Sequence, residues 1–171
     1  MQNHLIISIL AEDKPGLVES LSKVLNAHHS SWNDSRMSRL AGKFAGILSL
    51  DVADENLDAL MTALNALEND EFKLLIEKTN ADEAQHSQTL SVSVLGQDRR
   101  GIVHDITSEL AKLSVNIESL ESQVRPASMS TENLFEANLQ LSLPADVSTD
   151  TVIDTLESMS DQLMVDINFN D

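Results

Sequence analysis

The chain has 171 residues, 42% of them hydrophobic and 23% charged, with no Cys and only 3% aromatics; this supports an aliphatic core and excludes disulfides, thiolate metal sites and a Cys nucleophile. A formal charge of −17, from 28 acidic against 11 basic residues, repels phosphate backbones and anionic bilayers, which argues against direct nucleic-acid binding and against a peripheral membrane anchor. The apolar run Leu5–Leu10 is too short, and too broken by Ser8, for a secretory signal, and no stretch approaches the ~20 apolar residues of a spanning helix, so a cytoplasmic location is expected.

A first strand is expected near residues 4–11, followed by a helix carrying Leu17, Val18, Leu21, Val24 and Leu25 at helical spacing. A hairpin turning at Ala41-Gly42, a helix with Leu57, Leu60, Met61, Leu64 and Leu67, and a strand around Phe72, Leu74 and Ile76 come next. Residues 79–88 are polar and aperiodic and read as a linker. Beyond them Leu90-Ser-Val-Ser-Val-Leu95 alternates with period two, and Ile102, Val103, Ile106, Leu110 and Leu113 fall on one helical stripe. Asn116–Val124 and the alternating Phe135, Ala137, Leu139, Leu141, Leu143 predict two hairpin strands, the second ended by Pro144. Val152, Ile153, Leu156, Met159 and Leu163 predict a last helix, and Val165, Ile167 and Phe169 a last strand.

The second half repeats the first. An offset of 85 residues places Leu5 on Leu90, Asp13 on Asp98, Gly16 on Gly101 and Leu25 on Leu110; Phe44, Leu48 and Leu50 meet Phe135, Leu139 and Leu141 only after six more residues, an insertion near Arg125–Asn133. Copies of roughly 80 residues are too long for solenoid units. The expected fold class is therefore α+β: two ferredoxin-like βαββαβ domains, residues 1–78 and 89–171 joined by 79–88, each a four-stranded antiparallel sheet with two helices on one face.

The strand-to-helix turns hold the candidate chemistry. Asp13 and Asp98 read as N-caps, which puts Gly16 and Gly101 near the third helical position, where helix propensity does not favour Gly. Either a strand packs close there or a ligand approaches the first-turn amides at Leu17 and Ile102, free donors at the positive end of the helix dipole. Pro15 removes one donor from the first turn, whereas Arg99 and Arg100 add guanidinium groups suited to a carboxylate in the second, or else screen an acidic surface. His4, His28, His29, His86 and His104 show no metal-binding spacing, and no phosphate loop or catalytic set stands out, so neither metal, cofactor nor enzymatic activity is expected.

Ala11-Glu-Asp-Lys-Pro-Gly-Leu-Val18 and Gly96-Gln-Asp-Arg-Arg-Gly-Ile-Val103 share Asp-x-x-Gly-[Leu/Ile]-Val after a strand, which resembles the ACT family of amino-acid-sensing domains. With Asn33-Asp-Ser-Arg-Met37, Gly42-Lys-Phe44 and Asn116-Ile117, the tandem arrangement resembles the glycine cleavage system transcriptional repressor family. The resemblance implies a small amino acid, glycine foremost, held by Asp98, Arg99, Arg100, Gly101 and Ile102 together with Asn116 and Ile117; Asp13, Gly16 and Leu17 are the first copy's counterparts. There Ser31-Trp32 replaces the polar residue that ACT domains place at the second strand. It further implies repression through contact with a LysR-type activator protein, without DNA contact. A regulatory subunit of an amino-acid enzyme is the alternative; a formyltetrahydrofolate deformylase, which begins with an ACT domain, would need a catalytic domain for which the chain has no room.

The sheet faces away from the helices are unequal. Ser91, Ser93, Leu95, Glu136, Asn138, Gln140, Ser142, Asp166 and Asn168 in the second copy suit water, whereas Ile6, Ser8, Leu10, Ala45, Ile47, Ser49, Lys73 and Leu75 in the first predict a covered face. The other domain, a second copy of the chain in a homo-oligomer, or the regulatory partner is the expected cover.

Overall fold

In the computed structural model of the chain, residues 1–80, 88–127 and 132–159 are described in full and 163–168 by their backbone. The chain divides into two compact units, Met1–Glu83 and Ala84–Asp171. The first runs β1 (Gln2–Glu12), α1 (Leu17–Ala27), β2 (Ser31–Leu40), β3 (Lys43–Ala53), α2 (Asp54–Leu67), β4 (Phe72–Thr79). The second runs β5 (Gln88–Gln97), α3 (Ile102–Lys112), β6 (Asn116–Pro126), β7 (Asn133–Leu143), α4 (Thr149–Glu157), β8 (Leu163–Asn168). Both sheets are antiparallel with equivalent order, β2-β3-β1-β4 and β6-β7-β5-β8, the split βαβ arrangement expected from the repeat.

Strict alternation drives each sheet to bury one face. In β1 the residues Leu5, Ile7, Ile9 and Ala11 are buried, and α1 and α2 close over them with Leu21, Leu25, Leu60 and Leu64. The second core repeats this with Leu90, Val92 and Val94 of β5 under Ile106, Leu110, Val152 and Leu156. Each fully buried Leu or Ile contributes roughly 1.5–3 kcal/mol, so each helix is held by its apolar stripe rather than by its own short hydrogen-bond ladder. Helices α1 and α3 stop identically: His29 (φ 54°) and Ser114 (φ 57°) turn left-handed, and the next amides, Ser30 and Val115, bond back to Leu25 and Leu110.

Three expectations need correction. Helix α4 ends at Glu157, where the Ser158 and Met159 amides close the last turn onto Asp154 and Leu156; Met159 packs on the core from beyond the helix, and Leu163 opens β8 opposite Gly96. The insertion is not all loop, because Arg125 and Pro126 still pair with Leu134 and Asn133. Residues 128–131 lie outside the described residues, as do Phe169 and most of the expected linker, whose first and last residues, Thr79 and Gln88, belong to β4 and β5. The first hairpin turns at Ala41-Gly42 as expected, with both residues at positive φ.

Candidate functional site

The two Asp-x-x-Gly turns are built alike, but not as the capping rules suggest. The N-caps of α1 and α3 are Gly16 (φ 90°) and Gly101 (φ 86°), with no side-chain cap. Asp13 and Asp98 stand three residues earlier; their amides bond the carbonyls of Gly42 and Asn133 across the sheet end, and the Asp13 carboxylate pairs with Arg39. Glycine is there for its left-handed backbone, which L side chains resist by roughly 1–2 kcal/mol. No atom lies within 4 Å of a Cβ built on Gly16, so close strand packing does not select it.

Leu17 and Ile102 are the first helical residues. Pro15 precedes the helix, so its missing N–H takes nothing from the first turn. In the second turn the Ile102 amide reaches back to Arg99 and the Asp105 amide to Gly101. Arg99 is committed to Asp105 at 2.7 Å, whereas the exposed Arg100 has no ion pair among the described residues.

Asn116 does not join this turn within the unit. It opens β6 opposite Ser142, while Gln97, the last residue before Asp98, pairs with Leu134. Eight residues of β7 separate those levels, which is about 25 Å along the strand. Asn116 and Ile117 therefore sit at one end of the sheet and Asp98–Ile102 at the other. One small ligand cannot touch both unless a second copy of the chain supplies one of them.

A concavity lies elsewhere, on the open face of the first sheet. It encloses about 700 Å³ between a wall of β2, Asn33–Arg36, and Thr79 at the end of β4 with the following Asn80, with Ile6, Ile47 and Ser49 as floor and His4 and Asp51 at one end. A bulge shapes the wall: between Trp32 and Ser35, which pair with Leu50 and Leu48, Asn33 and Asp34 together oppose Ser49. The Ser49 hydroxyl accepts from the Asp34 amide at 3.1 Å and donates to the Asp34 carbonyl at 3.3 Å, and the Trp32 indole N–H donates to Ser35 Oγ at 3.3 Å. His4 Nδ1 is in hydrogen-bond contact with the Asp51 carboxylate. Arg36 carries no ion pair among the described residues, although Lys14, Arg39, Lys43, Lys73, Arg99, Lys112 and Arg125 all do.

The sequence reading placed Ile6, Ile47 and Ser49 on this face but missed the trough and its wall. The available signal was the spacing of Trp32 and Met37: both pack on the core side, yet an uninterrupted strand puts residues five apart on opposite faces. An extra residue between them, hence a bulge, was required.

On the second sheet's open face the described polar side chains bond one another. Ser91 donates to Gln140 at 2.8 Å and Ser93 to Asn138 at 2.7 Å, while Gln123 and Arg125 both reach Glu136. Those two hydrogen bonds, the Gln123 amide first and the Arg125 guanidinium second, hold the Glu136 carboxyl below its ordinary value. No cluster of three or more His, Asp or Glu able to hold a metal occurs among the described residues, and none of their helices is long and apolar enough to cross a membrane.

Set against known proteins, residues 3–77 match the family model of the ACT domain. A crystal structure of a protein of unknown function from Galdieria sulphuraria superposes with a TM-score of 0.84 at 23% identity, covering 98% of each chain. Another, of a protein provisionally assigned as a glycine cleavage system transcriptional repressor, superposes at 0.75 with 19% identity over 99% of this chain and 98% of that one. No curated protein matches by sequence. The first unit thus matches the ACT domain, and the chain shares a tandem ACT-like fold with both structures.

Proposed function

We propose that this chain is a regulatory protein that responds to a small amino acid, glycine foremost, and represses glycine cleavage genes by binding an activator protein of the LysR type rather than DNA. The observation that carries this reading is the duplication itself. An ACT unit over residues 3–77 is followed by a second unit with the same strand order and the same Asp-x-x-Gly turn, and the pair shares its fold with a protein provisionally assigned to that role. The charge of −17 supports a protein partner over a polyanion. A non-catalytic role in the cytoplasm fits the same reading.

The amino-acid site in this reading is the second unit's turn. Gly101 opens α3 with no side-chain cap at the positive end of the helix dipole, and the Arg100 guanidinium has no ion pair among the described residues, a combination suited to a carboxylate. The counterpart at Asp13, Gly16 and Leu17 lacks that cation, since Pro15 stands where Arg100 does and Lys14, like Arg99, is paired, here with Glu71. Calorimetry with glycine is the test: Arg100→Ala should weaken binding about tenfold. Asn116→Ala should do so only if a second copy brings Asn116 to the turn. Absence of any heat with glycine or alanine would overturn the sensing role. Recovery of a biosynthetic enzyme rather than a transcription activator from a cell-extract pull-down would overturn the repressor role in favour of an enzyme's regulatory subunit.

A further inference from the structure

The trough on the first unit's open face has the parts of a receptor that its counterpart lacks. Along one wall Asp34 and Arg36 stand two residues apart on β2, about 6–7 Å between their α-carbons. Their opposite charges can meet the ammonium and the carboxylate of one α-amino acid. The wall is fixed in advance, because Ser49 holds the Asp34 backbone through both its N–H and its carbonyl and Trp32 holds Ser35. Those bonds involve neither the Asp34 carboxylate nor the Arg36 guanidinium, and a backbone already set loses less on binding. Beside them Ile6 is half-buried and Ile47 is 47% exposed, an apolar floor beneath the charged wall.

The second unit carries the same bulge, between Ile117 and Ser119, but not the receptor. Glu121, opposite Asn138, stands where Arg36 stands opposite Ile47, so the cation becomes an anion and the apolar floor an amide. Gln140, the equivalent of Ser49, bonds Ser91 instead of the bulge.

We propose that the trough bounded by Asp34, Arg36, Ile6 and Ile47 is a binding site for an α-amino acid with an aliphatic side chain. The carboxylate lies on Arg36, the ammonium on Asp34, and the side chain on the two isoleucines. The site is separate from the Asp98–Ile102 turn, and it shares with the proposed function only the general class of ligand.

An amide-resolved NMR titration of the full chain with L-leucine tests this, with glycine, 4-methylpentanoate and isopentylamine as probes lacking the side chain, the ammonium and the carboxylate. Saturable leucine shifts at residues 4–6, 33–36 and 47–51 are expected, with each partial probe about tenfold weaker or more. Arg36→Gln should weaken leucine by the same factor. Asp34→Asn, which leaves the backbone hydrogen bonds to Ser49 in place, should repeat that loss. Arg100→Ala should leave leucine binding unchanged, whatever it does to glycine at the turn. Wild-type leucine affinity in both β2 variants, leucine shifts confined to residues 98–102, or no saturable shift at all would each overturn the proposal.

Discussion

The buried faces of the two units are near copies, while their open faces have gone opposite ways. On the buried side Leu48 and Leu139 occupy equivalent places, each almost wholly removed from water. On the open side the row Arg36–Ile47–Ser8–Leu75 of the first sheet corresponds to Glu121–Asn138–Ser93–Asp166 of the second. Leu10, Ile47 and Leu75 are 52%, 47% and 60% exposed, whereas the second face ties its polar side chains to one another. A duplicated fold must keep the period-two pattern that builds its core, but nothing in folding dictates the other face of an antiparallel sheet. That free face is where two such domains can acquire different partners.

The largest expected effect tests the equality of the buried faces. Leu48→Ala and Leu139→Ala should each cost about 3 kcal/mol, and urea unfolding followed by reporters in each unit should find the losses equal within about 1 kcal/mol. A much cheaper loss in one unit would mean its core is less well packed than the shared pattern implies. Next, Gly16→Ala and Gly101→Ala should each destabilise by about 1–2 kcal/mol through the left-handed backbone; thermal melts that move for only one would break the equivalence of the turns. Smaller still, Ser93→Ala should cost at most about 1 kcal/mol by removing the hydrogen bond to Asn138. Ser8→Ala, at the equivalent place beside Ile47, should change almost nothing in the same assay.

The smallest effect is electrostatic. Because Glu136 is held below its ordinary value when folded, its contribution to the second unit is present above the glutamate range and disappears as pH falls through the lowered value. A carbon-detected NMR titration should place its midpoint below that of a free glutamate, and Gln123→Ala should raise it. An unmoved midpoint would remove Gln123 as the cause.

Much of this architecture was legible because alternating and helical spacings recur at matching positions; once Asp13 met Asp98 and Leu25 met Leu110, two βαββαβ units followed. The turns were misread for a specific reason. An Asp before an apolar stripe is the usual capping signal, and nothing in Asp-x-x-Gly reveals that a left-handed glycine will start the helix instead. The pairing of Asn116 with Asp98–Ile102 came from the resemblance and ignored the length of α3, which carries the chain back to the far end of the sheet before β6 begins. Leu163 fitted the last helix by period alone, and only the closing of α4 at Ser158 and Met159 separates it from that stripe. The trough was hidden because its one sequence signal, the odd spacing of Trp32 and Met37 that requires an extra residue in β2, lies in a strand otherwise made mostly of polar residues.

The two hairpins also set different clocks. Leu40 and Lys43 pair across a two-residue turn already suited to the strand twist, whereas Pro126 and Asn133 must meet across six residues. Chain closure over the longer segment costs about 1 kcal/mol more, and the shorter hairpin has the favoured turn geometry from the outset. The hairpin β2–β3 is therefore expected to nucleate first, so that during synthesis the N-terminal unit completes its sheet while the second is still searching for the register of β6 on β7.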